Sequence, residues 1–238
     1  MNASHPVHAP RAPADPTHPI HGVVFDLDGL MFNTEDIFND VGTEVLRRRG
    51  KEFTPELVGL MMGRRAAEAL QVMIQYHSLT DTVETLNTES WTLFDTMLED
   101  RLAPMPGLYQ LLQSIEDRQL PKAVATSSGR PYLERILKRF DLLHRFDFLL
   151  AAQDVTHGKP HPEIYQTAAR RMQVDPRHML VLEDSHAGSL AGVLAGAVVV
   201  AIPTRHSVHQ DYSHAQHRAG QLDDPVILRL VQGNSARV

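Results

Sequence analysis

Short apolar runs that alternate with helix-length amphipathic segments constrain this chain more than any other feature. Val23-Val24-Phe25, Lys122 to Thr126, Met179 to Glu183 and Ala197 to Ala201 are such runs, and Phe146 to Leu150 is a weaker one. Each is too short for a helix and too continuous for a strand with one wet face, so each reads as a strand buried on both faces. Between them, Gly107 to Gln119 sets Leu108, Leu111, Leu112 and Ile115 at helical spacing, and Pro131 to Phe140 does the same with Leu133, Ile136 and Leu137. Pro162 to Met172 and Ala187 to Leu194 complete the helical set. Strands that alternate with helices build βαβ units around a parallel sheet. The expected fold class is therefore α/β, a doubly wound, Rossmann-like parallel sheet.

Residues 34–103 break the rhythm, with no strand pattern among them. Thr34 to Arg49 carries Ile37, Val41 and Val45 at i+4 steps and stops at Gly50. Thr54-Pro55 supplies an N-cap and a first-turn proline for a second helix, which Gly63 closes. A third helix is expected from Arg65 to Tyr76. A fourth, Thr82 to Arg101, is expected to turn Val83, Leu86, Trp91, Leu93 and Met97 toward a core. Pro104-Met105-Pro106-Gly107 is a stiff exit suited to a hinge. The expected organisation is an α/β core over 21–33 and 104–238, a helical cap inserted over 34–103, and an N-terminal extension over 1–20. That extension is rich in Pro and His and lacks periodicity, so it reads as a flexible, solvated tail rather than a metal site.

Composition removes several functional classes. Lys and Arg number 23 against 29 Asp and Glu, for a net charge of −6. Such a balance does not favour nucleic acid, whose phosphates call for clustered cations. There is no Cys, which removes disulfides, thiolate zinc sites and Cys nucleophiles. No apolar run reaches the ~18 residues of a membrane span, and the N-terminus lacks the apolar core of a signal peptide. A cytoplasmic monomer with no nucleic-acid or membrane partner is expected.

In an open parallel sheet, ligands bind beyond the carboxyl ends of the strands. There the sequence sets Asp26-Leu27-Asp28-Gly29 after the first strand and Thr126-Ser127-Ser128-Gly129 after the second. Gly158-Lys159-Pro160 follows the third, and Glu183-Asp184-Ser185 the fourth. Asp26 and Asp28, two apart at a strand end, lean to the same side. Carboxylates so close repel unless a cation lies between them or one is protonated. Asp184 adds a third oxygen donor. Hard oxygen donors without His or Cys suit magnesium. Lys159 brings a point charge for a phosphate, and Thr126, with the backbone around Ser127, brings donors for its other oxygens.

These segments resemble the motifs of the haloacid dehalogenase superfamily: Phe-Asp-Leu-Asp-Gly at 25–29, Ala-Thr-Ser-Ser at 125–128, Gly-Lys-Pro-His-Pro at 158–162 and Leu-Glu-Asp-Ser at 182–185. The resemblance runs from residue 21 to about 203. The helical insert is similar to the small cap of the subgroup that holds β-phosphoglucomutase and many sugar-phosphate phosphatases. Met62-Gly63-Arg64-Arg65 and Met105-Pro106-Gly107 are similar to segments of pseudouridine-5′-phosphatase-like members. The resemblance implies Asp26 as nucleophile and Asp28 as general acid and base. It implies Mg2+ held by the Asp26 and Asp184 carboxylates and the Asp28 carbonyl, with Glu183 a further ligand or the partner of one. Thr126, Ser127 and Lys159 would hold the phosphoryl group. It further implies that the cap lines the site, which makes Phe32, Phe38, Arg64 and Arg65 candidate selectors of a small phosphorylated metabolite.

The implied activity is a magnesium-dependent phosphatase acting on a sugar, polyol or nucleoside monophosphate; the alternative is a β-phosphoglucomutase-type mutase. The mutases carry a His where this chain has Phe38 and an Arg where it has Ala66, which counts against that alternative. Haloacid dehalogenases lack the second Asp, so Asp28 argues against that chemistry. The intact set Asp26, Asp28, Thr126, Lys159 and Asp184 argues against a non-catalytic binding protein. Two features depart from the pattern: Asn33 stands where the longer motif usually has Asp, and the four His of 206–217 match no motif.

Overall fold

A computed structural model describes residues 19–61 and 66–233. The chain divides into two compact units, Phe32–Pro104 and the segments on either side of it. The inserted unit holds helices α1 (Thr34–Arg47), α2 (Pro55–Met61), α3 (Ala66–His77) and α4 (Val83–Arg101). The flanking unit holds strands β1 (Gly22–Phe25), β2 (Lys122–Ala125), β3 (Phe148–Leu150), β4 (Met179–Glu183), β5 (Val198–Ala201) and β6 (His217–Arg218). Its helices are α5 (Leu108–Asp117), α6 (Arg130–Arg139), α7 (Glu163–Met172), α8 (His186–Leu194) and α9 (Pro225–Gln232).

The six strands form one sheet in the order β3-β2-β1-β4-β5-β6, every neighbouring pair parallel. The chain steps outward from β1 on one side through β2 and β3, then returns to β4 and steps outward on the other. This is the doubly wound, Rossmann-like α/β architecture, with its switch of direction between β1 and β4. Register aligns Phe25 with Val124 on one side and Leu182 on the other. The residues that follow, Asp26, Ala125-Thr126 and Glu183-Asp184, therefore meet on one edge.

Core packing explains why the apolar runs are continuous. Val24, Val181 and Val199 of the central strands pack with Ile164, Tyr165 and Ala168 of α7 and Ala191 of α8, all buried. Helix α8 approaches closely because its inner face is small: a Cβ at Gly192 would come 2.8 Å from Val199 Cγ2. The stripes of α5 (Leu108, Leu111, Leu112, Ile115) and α6 (Leu133, Ile136, Leu137) are buried as their spacing predicts. Strand β3 starts at Phe148 rather than Phe146; just before it, the Asp147 amide donates to the Lys122 carbonyl at 2.9 Å while the Asp147 side chain accepts the Lys122 amide at 2.7 Å. Two-residue β6 is too short for any period, and α9 follows an Asp224 N-cap with Pro225 in its first turn.

The extension lies outside the described residues except at its end. Pro19 already accepts a bond from His178 Nδ1 at 2.8 Å, and Ile20 is buried.

In the inserted unit, α1 buries Ile37, Val41 and Val45 as expected. Helix α4 differs. It buries Leu86, Phe94 and Leu98 and leaves Trp91 exposed, with Val83, Leu93 and Met97 at the margins. The stripe follows the i+4 row through Leu86, Phe94 and Leu98, and Trp91 lies off that row. Within this unit Phe32 bridges Pro104, and Asn33 exchanges bonds with the exit segment: its amide donates to the Ala103 carbonyl at 3.1 Å, its side-chain oxygen accepts from the Ala103 amide at 2.7 Å, and its Nδ2 donates to the Arg101 carbonyl at 3.1 Å. Phe32 is fully buried. The Met62-Gly63-Arg64-Arg65 segment, with two candidate selectors and the expected end of α2, lies outside the described residues.

Candidate active site

Lys159 reaches the carboxyl edge of the sheet from the loop after β3. Its Nζ donates to Asp26 Oδ1 at 2.5 Å, Glu183 Oε1 at 2.6 Å and the Ala125 carbonyl at 2.9 Å. Three donors thus meet three acceptors drawn from the ends of β1, β4 and β2. Asp26, Glu183 and Asp184 bring carboxylate oxygens within 4.8 Å of one another, all three residues buried. Lys159 offsets one of these negative charges. The remainder form an all-oxygen donor set that suits a hard divalent cation.

Burial shapes the electrostatics. It pushes the Asp26 carboxyl well above the usual carboxylate range; the Lys159 ammonium opposes that, and the charges of Glu183 and Asp28 add to it. Burial also pulls on the Lys159 ammonium, but Asp26 and Glu183 outweigh it and hold Lys159 well above its ordinary value. Tyr165 is pushed up by its burial and then by the Glu183 charge, so its hydroxyl keeps its proton and donates to Glu183 Oε1 at 2.6 Å.

Glu183 is fastened on both oxygens. Oε1 takes Lys159 and Tyr165, and Oε2 takes the Ser185 hydroxyl at 3.0 Å. Ser185 also caps α8 by accepting the Gly188 amide at 3.1 Å. Asp184 is set by its own backbone, whose carbonyl accepts from Ser207 Oγ at 2.7 Å and from the Tyr212 hydroxyl.

Asp28 does not join the Asp26–Glu183–Asp184 group. Its carboxylate faces β2's end, where Thr126 Oγ1 (3.2 Å) and Ser128 Oγ (2.7 Å) donate to Oδ2 and the Tyr132 hydroxyl (2.8 Å) donates to Oδ1. Thr126 is buried, and its Oγ1 also accepts the Ser128 amide at 2.9 Å. Ser127 sits exposed beside them. The structure thus gathers Asp26, Lys159, Asp184, Asp28 and Thr126 on one edge and leaves the Ser127 side chain at its lip.

Sequence reasoning missed Ser128, Tyr132, Tyr165, Ser185 and Gly188. Ser128 and Ser185 lie inside the motifs at 125–128 and 182–185 and are legible there as hydroxyl donors. Tyr132 and Tyr165 each lie on a helix following a motif, where an aromatic residue reads as packing.

A second group, His157, His161 and Glu163, is largely exposed. Glu163 Oε1 accepts the Thr156 amide and Oε2 the His157 amide, both at 2.9 Å, and His157 Nδ1 lies 2.9 Å from Oε2. Glu163 therefore fastens the turn that carries Lys159. The His of 206–217 form no three-residue metal cluster among the described residues. His214 Nε2 pairs with Ser189 Oγ at 2.9 Å and packs edge-on against His186, which fixes the loop to α8.

The family model described as haloacid dehalogenase-like hydrolase matches residues 23–202. The phosphorylated carbohydrates phosphatase of Thermotoga maritima is 31% identical over 182 residues, covering 74% of this chain and 82% of that protein. The bifunctional riboflavin kinase/FMN phosphatase of Arabidopsis thaliana is 30% identical over 203 residues, 85% of this chain, which spans only 53% of that protein. Among solved structures, a HAD family hydrolase from Deinococcus radiodurans R1 with bound phosphate and sodium superposes with a TM-score of 0.72 at 25% identity, covering 86% of this chain and 92% of that one.

Proposed function

As the chain belongs to the haloacid dehalogenase-like hydrolase family, we propose that this phosphatase hydrolyses a small phosphorylated metabolite (a sugar, polyol or nucleoside monophosphate) with Mg2+, through an aspartyl-phosphate on Asp26. The observation that carries the reading is Lys159 held between Asp26 and Glu183 at 2.5 and 2.6 Å, beside the Asp184 carboxylate. Phosphoryl transfer depends on alignment and on neutralised charge, and this arrangement supplies a nucleophile next to a cation and a set of hard oxygen donors.

In the first step an Asp26 oxygen attacks phosphorus, the bond to the leaving oxygen breaks, and Asp28 gives that oxygen a proton. In the second step water attacks phosphorus, Asp28 takes the water's proton, and the bond from phosphorus to Asp26 breaks to release phosphate. Thr126, the backbone around Ser127 and Lys159 hold the phosphoryl oxygens. Asp26, Asp184 and the Asp28 carbonyl are the residues that would hold Mg2+. The ion, when bound, draws charge from the phosphoryl oxygens. Glu183, occupied by Lys159, Tyr165 and Ser185, serves to aim Lys159 rather than to ligate.

The phosphorylated carbohydrates phosphatase and the riboflavin kinase/FMN phosphatase among the relatives support the substrate class, and the phosphate bound in the Deinococcus structure supports the released product. A panel of phosphorylated sugars, polyols and nucleotides, assayed for released phosphate, tests the reading. Wild type turns over at least one class with Mg2+ and stops in EDTA, while Asp26→Asn is silent. An Asp26→Asn protein within about tenfold of wild type overturns the covalent mechanism.

A further inference from the structure

We infer that Tyr132, together with Ser128, is a positioning residue that clamps Asp28 through both steps of the reaction. This inference rests on Asp28 being the proton carrier of the proposed mechanism.

Among the described residues, the side-chain bonds to the Asp28 carboxylate come from hydroxyls. Tyr132 meets Oδ1 at 2.8 Å, Ser128 meets Oδ2 at 2.7 Å, and Thr126 meets Oδ2 at the longer distance of 3.2 Å. A threonine hydroxyl has one proton. When Thr126 gives it to a phosphoryl oxygen, it releases Asp28, because the same proton serves one acceptor at a time. The bond surrendered is the longest of the three. One bond per carboxylate oxygen then remains, Tyr132 on one side and Ser128 on the other, so the plane of the carboxyl group stays defined.

The chemistry of the clamp fits a group that alternates between acid and base. Lys or Arg in the same places would hold Asp28 as a carboxylate, because a cation only donates. Hydroxyls donate to the carboxylate and accept from the carboxylic acid by rotating one bond. The clamp therefore survives when Asp28 takes a proton from water and when it gives one to the leaving oxygen. Tyr132 suits the task mechanically as well. It stands in the first turn of α6, whose neighbouring Leu133, Ile136 and Leu137 are buried, and its hydroxyl rides on a rigid ring with two side-chain torsions.

The test separates the two half-reactions. With p-nitrophenyl phosphate the leaving group needs no proton, whereas water attack on the aspartyl-phosphate still needs Asp28. Tyr132→Phe is expected to keep a rapid first release of p-nitrophenolate and to lower steady-state kcat by about ten- to a hundredfold, with KM little changed. Ser128→Ala is expected to show the same pattern. Asp28→Asn/Tyr132→Phe is expected to be no slower than Asp28→Asn alone, because a clamp works through Asp28. Tyr132→Phe at the wild-type rate while Asp28→Asn is crippled overturns the clamp and leaves the proposed function standing. Losses that multiply in the double variant also overturn it, since Tyr132 would then act elsewhere. Wild-type turnover by Asp28→Asn overturns both the clamp and the role of Asp28.

Discussion

Gly188 lies so close to the carboxyl group of Glu183 that a Cβ at position 188 would sit 1.8 Å from Oε1 and 2.2 Å from Oε2. A flexible carboxylate would normally step aside, but this one is buried and tied to Lys159, Tyr165 and Ser185. Two effects oppose each other in Gly188→Ala. Ala is favoured over Gly within a helix by about 1 kcal/mol. Displacing Glu183 breaks its buried bonds from Lys159, Tyr165 and Ser185, at a cost of about 3–5 kcal/mol even though Lys159 keeps Asp26. The second wins: Gly188→Ala is expected to lose about 2–4 kcal/mol of stability and most of its turnover. Thermal unfolding followed with phosphate release checks both, and a variant more stable than wild type would show that Glu183 moves freely.

Glu163 makes stability depend on acid pH. The Thr156 amide, then the His157 amide and imidazole, hold its carboxyl down at about 2, against an ordinary 4.5. A group depressed in the folded state stabilises the fold above its unfolded value and loses that contribution as pH falls toward the folded one. The stability gap between wild type and Glu163→Gln is therefore expected at neutral pH and to shrink between about 4.5 and about 2. Chemical denaturation at several pH values measures the gap, and a gap independent of pH across that window contradicts the assignment.

The sheet and the edge chemistry were legible for a common reason. Strands buried on both faces read as uninterrupted runs such as Met179 to Glu183, and in a parallel sheet their carboxyl ends fall on one side, so the sequence order alone brings Asp26, Thr126 and Asp184 together. What stayed hidden depends on rotation and reach rather than on order. Asp26 and Asp28 share a side by strand alternation, yet Asp28 turns to Tyr132 and Ser128 while Asp26 faces Lys159. The phase of α4 is not legible in its sequence, because Trp91, a large apolar residue, draws the expected stripe toward itself, whereas burial follows Leu86, Phe94 and Leu98. The bond from Tyr165 to Glu183 is not legible either, because nothing in the sequence neighbourhood of Glu183 announces Tyr165.

Asn33 replaces the usual Asp of the longer motif, and its amide nitrogen makes a bond that a carboxylate cannot make, to the Arg101 carbonyl at 3.1 Å. Its oxygen keeps the bond that Asp would also make, from the Ala103 amide at 2.7 Å. Asn33→Ala forfeits both and is expected to cost about 1–2 kcal/mol. Asn33→Asp retains the second, sets a carboxylate against the Arg101 carbonyl, and gains about 0.3–1 kcal/mol from a negative charge at the start of α1. Its cost is expected to fall between zero and that of Asn33→Ala. Melting temperatures of the three proteins in one buffer decide it, and Asn33→Asp melting below Asn33→Ala would reverse the ranking.

Phe38 marks where the sequence departs from the mutases it resembles. Its ring stacks on Phe94 at 4.4 Å between centroids and meets Trp91 edge-on at 6.5 Å. The related mutases carry a His at this place, and an imidazole gives and takes protons where a phenyl ring does neither. A mutase keeps its phosphoryl-enzyme from water long enough for a sugar hydroxyl to attack, and it needs a base for that hydroxyl. A phosphatase needs a base for water alone, which Asp28 supplies in the proposed mechanism. Phosphorylated hexose is therefore expected to yield inorganic phosphate and no positional isomer. Phosphorus NMR of β-glucose 1-phosphate, with a trace of the 1,6-bisphosphate and Mg2+, follows both products together. Glucose 6-phosphate appearing faster than inorganic phosphate would move the chain to the mutase chemistry, because it would mean that a sugar hydroxyl outcompetes water without the imidazole.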